Sequence, residues 1–397
     1  MMPKKLGFLL LALSTSLVSG NLYSGEGESG YHSKTQKRKM KEQSGDSAAS
    51  NQQKSCSSTW CSKVNKGLDV KLDLFYWVPK VQGTEFCSTV SKPSVGVIAA
   101  NDTLLPTSGE IFGPNYDFDF GFKVGATYCG GEEKYMISGL YTGFSSKASE
   151  KLNAANNILC PINVYDGITL DPNGGAAFDV FGYCTTASSH LSMKLDMIDL
   201  LLSKNFQLSK ACLVLTPKCG LRAIFTNIKQ ATQYTGSDPD VQTFTGVGTT
   251  ILGLDTNTVG VNNNSKTVGL GPAIGVDSVL DIGRGFGLFF NSSASIDYAY
   301  KTTKYSTYYT AFSDNTVNVK MQNHDFIPQV SNFLGLRYDK YINSFNSHFG
   351  IGLGYENQFL LGAYDSINPV ESAVLEYDVT QNNFAAHGIT LNLDYSF

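Results

Sequence analysis

The sequence predicts an all-β fold, a transmembrane up-and-down antiparallel β-barrel, and three features carry that reading. Segment after segment alternates apolar residues with small or polar ones at period two, which gives a strand two unlike faces and matches no helix. Tight connections of about three to seven residues alternate with long polar ones, as short turns on one barrel rim and long loops on the other require. Aromatic residues make up 12% of the chain, with 39 glycines and only 16% charge. Past the N-terminus, however, no apolar run approaches the ~20 residues of a membrane-spanning helix.

The elements follow in order. Lys4 and Lys5, the apolar run 6–13 and the small residues "VSG" at 18–20 read as a secretory signal peptide over residues 1–20. Residues 21–66 are polar and unpatterned, including the basic stretch "KTQKRKMK" at 34–41, and read as a flexible periplasmic segment unable to bury a core. Residues 67–397 are the predicted barrel. Alternation runs through 67–77, 116–128, 135–144 and 190–202, then through a long strand from Phe206 to about Thr226. It resumes over 267–280, 286–300, 326–339, 347–360 and 388–397, giving ten clear strands. The long connections at 78–115, 145–189, 227–266, 301–325 and 361–387 leave room for more strands, so that 12 to 16 fit as well. With ten, both ends of the barrel domain lie on the short-turn, periplasmic side, and the chain is placed in a bacterial outer membrane.

The segment "GITLNLDYSF" (388–397) shows why closure matters. Ile389, Leu391, Leu393, Tyr395 and Phe397 share one face, and Gly388, Thr390, Asn392, Asp394 and Ser396 the other. In lipid every backbone group must be paired within the sheet, so this strand is expected to zip to the first. Leu391, Leu393, Tyr395 and Phe397 are the expected insertion signal read by the barrel-assembly machinery. Tyr76, Tyr128, Tyr298, Tyr300, Tyr338 and Tyr355 are candidates for the aromatic girdles.

Alternation assigns Asp117, Asp119, Lys123, Lys194, Asp196, Arg222, Asp277, Asp297, Arg337, Glu356 and Asp394 to the lumen wall. Inward acids outnumber inward bases on this assignment, and carboxylates favour cations, so a mild cation preference is expected. Nine glycines on the same face, Gly121, Gly335 and Gly354 among them, either widen the lumen or relieve strand curvature. The net charge of −4 argues against a nucleic-acid partner. No phosphate loop, cofactor motif or clustered metal-ligand spacing is present, so neither cofactor nor metal is expected. His190 and Ser192 stand two apart on one strand, but with Lys194 and Asp196 they are assigned to the lumen, where a lipid-cleaving pair is of no use. No enzyme is expected.

Eight cysteines in an exported chain favour disulfides. Cys160 and Cys184 share one long connection, and a bridge there closes a loop of about 25 residues, worth about 3–4 kcal/mol on the chain-entropy model. Cys56 and Cys61 lie in the periplasmic segment, open to a mutual bridge or to disulfide links with a second copy or other envelope proteins. Cys212 and Cys219 are seven residues apart on the predicted strand and point to opposite faces, which excludes their pairing.

Several segments resemble a known family. "LDLFYWVPK" with "GTEF" (72–86), "FDFGFKVGATY" (118–128), "LTPKCGLRAIF" (215–225), "VGLGPAIGVDSVL" (268–280) and "GFGLFFNSSASIDYAYKT" (285–302) are similar to the Legionella-type major outer membrane proteins, found in Legionella and chlamydia-like bacteria. The resemblance covers residues 68 to 397 and is absent from 21–66. It implies a pore-forming outer-membrane protein for small hydrophilic solutes, surrounded by outer-membrane lipid, and brings no catalytic residues. The alternative is a structural or adhesive, disulfide-linked envelope protein with a plugged barrel and host-binding loops.

Overall fold

The computed structural model describes residues 67–91, 109–130, 135–154, 157–162, 168–170, 176–178, 184–208, 212–236, 258–309, 312–342, 347–370 and 376–397. The predicted signal peptide and periplasmic segment lie outside the described residues. In chain order the strands are β1 Gly67–Val81, β2 Cys87–Ser91, β3 Gly109–Phe112, β4 Asp119–Gly130, β5 Tyr135–Asn153, β6 Asn157–Pro161, β7 Ile168–Leu170 and β8 Ala176–Phe178. They continue as β9 Thr186–Lys204, β10 Phe206–Leu208, β11 Leu213–Thr235, β12 Thr258–Gly283, β13 Phe286–Tyr309, β14 Phe312–Ile342, β15 Ser347–Val370 and β16 Glu376–Ser396.

Ten of these strands form a closed antiparallel ring in the order β1, β4, β5, β9, β11, β12, β13, β14, β15, β16 and back to β1. The ring therefore has ten members among the described residues, and the larger counts that the long connections left open do not arise. Instead the described residues of those connections mostly lengthen the strands already present. The 24 residues of β13 span about 79 Å along the strand at ~3.3 Å per residue, or roughly 60 Å in height at a typical ~40° tilt. The lipid band of such barrels is only about 25 Å tall. The strands thus run well past the bilayer on the long-loop side. One predicted strand is corrected: residues 206–226 are not continuous, because the short β10 turns through Cys212, whose φ is 51°, into β11.

Two faces follow from the pleat. Val70, Leu72, Leu74, Phe122, Leu270, Ile274, Leu336 and Leu353 are large apolar side chains exposed on the outer face, the signature of lipid contact. Their neighbours in sequence turn inward. A three-stranded sheet, β3-β2-β6, and the hairpin β7-β8 stand apart from the ring in pairing.

Closure is continuous over thirteen register pairs from Asp69–Ser396 to Val81–Phe384. Beyond the first of them Leu68 and Phe397 exchange two backbone hydrogen bonds, 3.2 and 3.1 Å, and the Phe397 ring lies exposed at the short-turn rim. A carboxylate at this interfacial position costs at most about 1 kcal/mol of barrel stability. Phe397→Asp is therefore expected to leave folded protein stable but to lower the amount inserted, read as less heat-modifiable band in isolated outer membranes. An unchanged band would remove Phe397 from the insertion signal.

Candidate functional site

The barrel interior is layered, and each layer is built by the inward faces of several strands. Nearest the short-turn rim, Arg337 on β14 pairs with Asp339 at 2.8 Å and across β15 with Asp394 on β16 at 2.5 Å. His348 lies 3.0 Å from the same Asp339. Slightly deeper, Lys71 pairs with Asp73 (3.3 Å) and Lys218 with Asp277 (2.6 Å). All of these except Asp73 line a cavity of about 530 Å³ that reaches the turn residues Arg284 and Gly285.

The next layer is drier. The Arg222 guanidinium donates in a fork to both Asp199 carboxylate oxygens, at 2.6 and 2.9 Å, and to Ser293 at 3.3 Å. Lys123 pairs with Glu356, which also accepts from Thr390 at 2.9 Å. Asp297 accepts from Ser295 at 3.0 Å and from Gln329. Arg222, Asp199 and Glu356 are each 4% exposed and Asp297 is fully buried. Only about 70 Å³ of space remains among Lys123, Asp199, Arg222, Phe289, Phe333 and Glu356. Charges so deprived of water persist only when paired.

Above the ionic layer the interior becomes apolar. Phe75, Trp77, Phe144, Leu191, Met193, Leu195, Met197, Ile224, Leu360, Tyr364 and Phe384 form one buried cluster, contributed by strands from all round the ring. The Phe75 and Trp77 rings stack at 3.7 Å, Phe144 packs on both, and the Lys123 ammonium lies 5.2 Å from the Trp77 ring centre. Burying each such large side chain contributes about 1.5–3 kcal/mol. Beyond it, Lys301 sits fully buried between Asp325 (3.0 Å) and Asp365 (3.1 Å). A second buried cluster then fills the long-loop end around Phe86, Leu159, Tyr234 and Tyr305. The connection after β1 is tied into it, because Tyr234 donates to the Phe86 carbonyl (2.6 Å) and Gln230 to that of Thr84 (2.7 Å).

Three of the inward glycines, Gly121, Gly335 and Gly354, do not open a passage. A Cβ at Gly121 would fall 2.1 Å from the Phe75 ring, and Cβ atoms at Gly335 and Gly354 would fall 2.9 and 2.6 Å from that of Phe333. Aromatic rings occupy the room those glycines leave.

The structure places Asp119, Lys123, Arg222, Asp277, Asp297, Arg337, Glu356 and Asp394 inside the barrel. Two predicted lumen residues are corrected: Lys194 and Asp196 stand on the outer face, with the Lys194 side chain 61% exposed. Here Leu191, Met193, Leu195 and Met197 are the inward set, because this part of β9 lies beyond the lipid and its apolar residues pack inside. Asp117 is also corrected, since it precedes β4 and is exposed, while its neighbour Tyr116 turns in to donate to the Val81 carbonyl at 3.1 Å. Asp199, the partner of Arg222, was hidden by the same reversal. His190 and Ser192 move outward with Lys194, and no hydrogen bond joins them among the described residues. Cys184 is buried, its N–H bonded to the Leu159 carbonyl at 2.9 Å, and the backbone of Cys160 pairs with Ser88. Cys56 and Cys61 lie outside the described residues. Cys219 is a free thiol on the outer face.

A closed ring with an apolar exterior band, short turns on one rim and charged residues sealed inside defines an outer-membrane β-barrel. Residues 61–397 match the family described as Legionella pneumophila major outer membrane protein precursor, and the chain belongs to that family. No curated protein matches it. Among solved structures it is similar to the outer membrane protease OmpT from Escherichia coli, at 10% identity over 84% of this chain and 97% of that one, TM-score 0.33. It is also similar to a Pseudomonas aeruginosa FadL homologue, at 7% identity over 85% and 91% of the two chains, TM-score 0.24. The P. putida toluene transporter TodX follows at 6% identity over 84% and 91%, TM-score 0.19. Similarity at these TM-scores assigns no activity.

Arg222→Ala would leave Asp199 buried without its counter-charge, a change that typically costs about 3–5 kcal/mol. Urea unfolding of the refolded barrel is expected to show that loss, and the double variant Arg222→Met with Asp199→Leu to recover most of it. Equal instability of single and double variants would show that the pair does not act as a unit.

Proposed function

We propose that this outer-membrane barrel is closed to free diffusion and serves the envelope as a structural or adhesive surface protein, with no catalytic role. The observation that supports this most directly is the dry apolar cluster around Phe75, Trp77, Leu195, Met197 and Leu360 above the sealed ionic layer. A hydrated solute cannot cross such a layer without losing its water. The strands that rise past the bilayer and the chain packed into their long-loop end supply a rigid surface for contact outside the cell.

A second reading, a passive pore with a mild cation preference, draws support from one feature. The cavity at the short-turn end is lined by charged residues of both signs, Asp69, Asp277, Asp281, Asp339 and Asp394 with Lys71, Lys218, Arg284, Arg337 and Lys340. The purified protein in a planar bilayer distinguishes the two. A silent membrane is expected; discrete conductance steps would favour the pore, and a reversal potential toward the cation would then favour its cation preference.

We also propose that the envelope role involves disulfides. Cys184 is bonded through its backbone to the residue preceding Cys160, which brings the two cysteines onto adjacent segments of the long-loop end. Mass mapping of non-reduced outer membranes is expected to find at least one bridge there, and non-reducing gels to show disulfide-linked oligomers. Eight free thiols would reject both.

A further inference from the structure

On six consecutive strands, β5, β9, β11, β12, β13 and β14, the outer face changes character along the register. One row of register partners is apolar: Tyr141, Ile198, Ala223, Leu270, Tyr298 and Phe326. The next row toward the long loops carries Phe225, Val268, Tyr300 and His324 with a single carboxylate, Asp196, held by Tyr141 (2.6 Å) and Lys194 (2.8 Å). Then the chemistry turns basic. Lys194 and Lys266 stand in the following row, separated by Asn227 and flanked by Ser145, Thr302 and Gln322. The row after that reads Lys147, Ser192, Lys229, Asn264, Lys304, Lys320 in unbroken register.

These two rows hold six exposed lysines and no carboxylate, on a chain whose net charge is −4. Among the described residues, Lys147, Lys229, Lys266, Lys304 and Lys320 make no ion pair. Lys304 and Lys320 are direct register partners, and like charges directly opposite on neighbouring strands are destabilising. The outer surface is also concave here: a depression of about 540 Å³ lies between Lys147 and Lys229, floored by His190, Ser192, Asn262 and Asn264. The lysine rows begin about 7 Å along the strand past the row of Phe225, Tyr300 and His324, at the depth where an acyl chain gives way to its headgroup.

We propose that this lysine field binds phosphorylated headgroups of outer-leaflet lipid. The ammonium groups meet phosphate oxygens, Ser192, Asn227 and Asn264 supply further hydrogen bonds, and the acyl chains lie on Ile198, Leu270 and Tyr298 below. A bridging phosphate would relieve the Lys304–Lys320 repulsion, which nothing else among the described residues does.

The test uses the full-length folded protein and native mass spectrometry with bisphosphorylated lipid A, its dephosphorylated form, and inorganic phosphate as competitor. Wild type is expected to retain the bisphosphorylated lipid, to release the dephosphorylated one, and to resist excess inorganic phosphate. The variant Lys147→Gln, Lys229→Gln, Lys304→Gln, Lys320→Gln should bind at least about tenfold more weakly, and Lys304→Gln alone about fivefold. Lys340→Gln, on the outer face near the opposite rim, should bind as wild type. Equal retention of both lipids, unchanged binding by Lys304→Gln, an equal loss with Lys340→Gln, or displacement by inorganic phosphate would each overturn the proposal. Should the fourfold variant fail to fold, the single variant and the lipid comparison on wild type still decide it.

Discussion

Backbone hydrogen bonding in a solvent that offers none is the constraint on which the rest of this molecule depends. A strand in lipid has no water to satisfy its N–H and C=O groups, so an open edge is excluded and the sheet must close. The continuous register between β1 and β16, extended by the Leu68–Phe397 pair, meets that demand. Once the ring is closed with ten strands, its interior is too narrow to stay empty, and about eight strands already suffice for side chains to fill a barrel. What fills the interior is then a matter of depth.

The filling changes along the axis because the exterior does. Within the lipid band the outer face takes the apolar residues, leaving charged and small residues for the inside, where they pair: Arg222 with Asp199, Lys123 with Glu356, Arg337 with Asp394. Past the band the exterior meets water or headgroups, and the preference reverses. On β9 Ile198, Leu200 and Leu202 face lipid, whereas a few residues away Leu191, Met193 and Leu195 face inward beneath an outer face of His190, Ser192 and Lys194. One strand thus behaves as a membrane protein at one end and as a water-soluble β-protein at the other.

The buried ion pairs separate these regimes. Replacing such pairs with apolar residues is often neutral or stabilising, so their presence does not by itself explain stability. Their geometry instead fixes which strands face each other across the lumen. Arg337 links β14 to β16 and Lys123 links β4 to β15, contacts between strands that share no backbone bond.

The sequence by itself determined the class of fold, the ten ring strands and most of their register faces, because a two-residue period survives any context. It also placed Lys123, Arg222, Asp297, Arg337 and Glu356 on the inner wall, since within the lipid band apolar means outward. It could not place Lys194, Asp196 or Asp199. Alternation states that two faces differ without stating which of them meets lipid, and on β9 the pattern carries over the membrane boundary without a break. Strand length escaped for the same reason, as the polar outer faces of 227–235 and 301–309 resemble loop composition. Only the tertiary structure decided that the lumen is filled. Phe75 over Gly121 and Phe333 over Gly354 are cross-strand contacts, set by how ten strands close on one another and invisible to any local pattern.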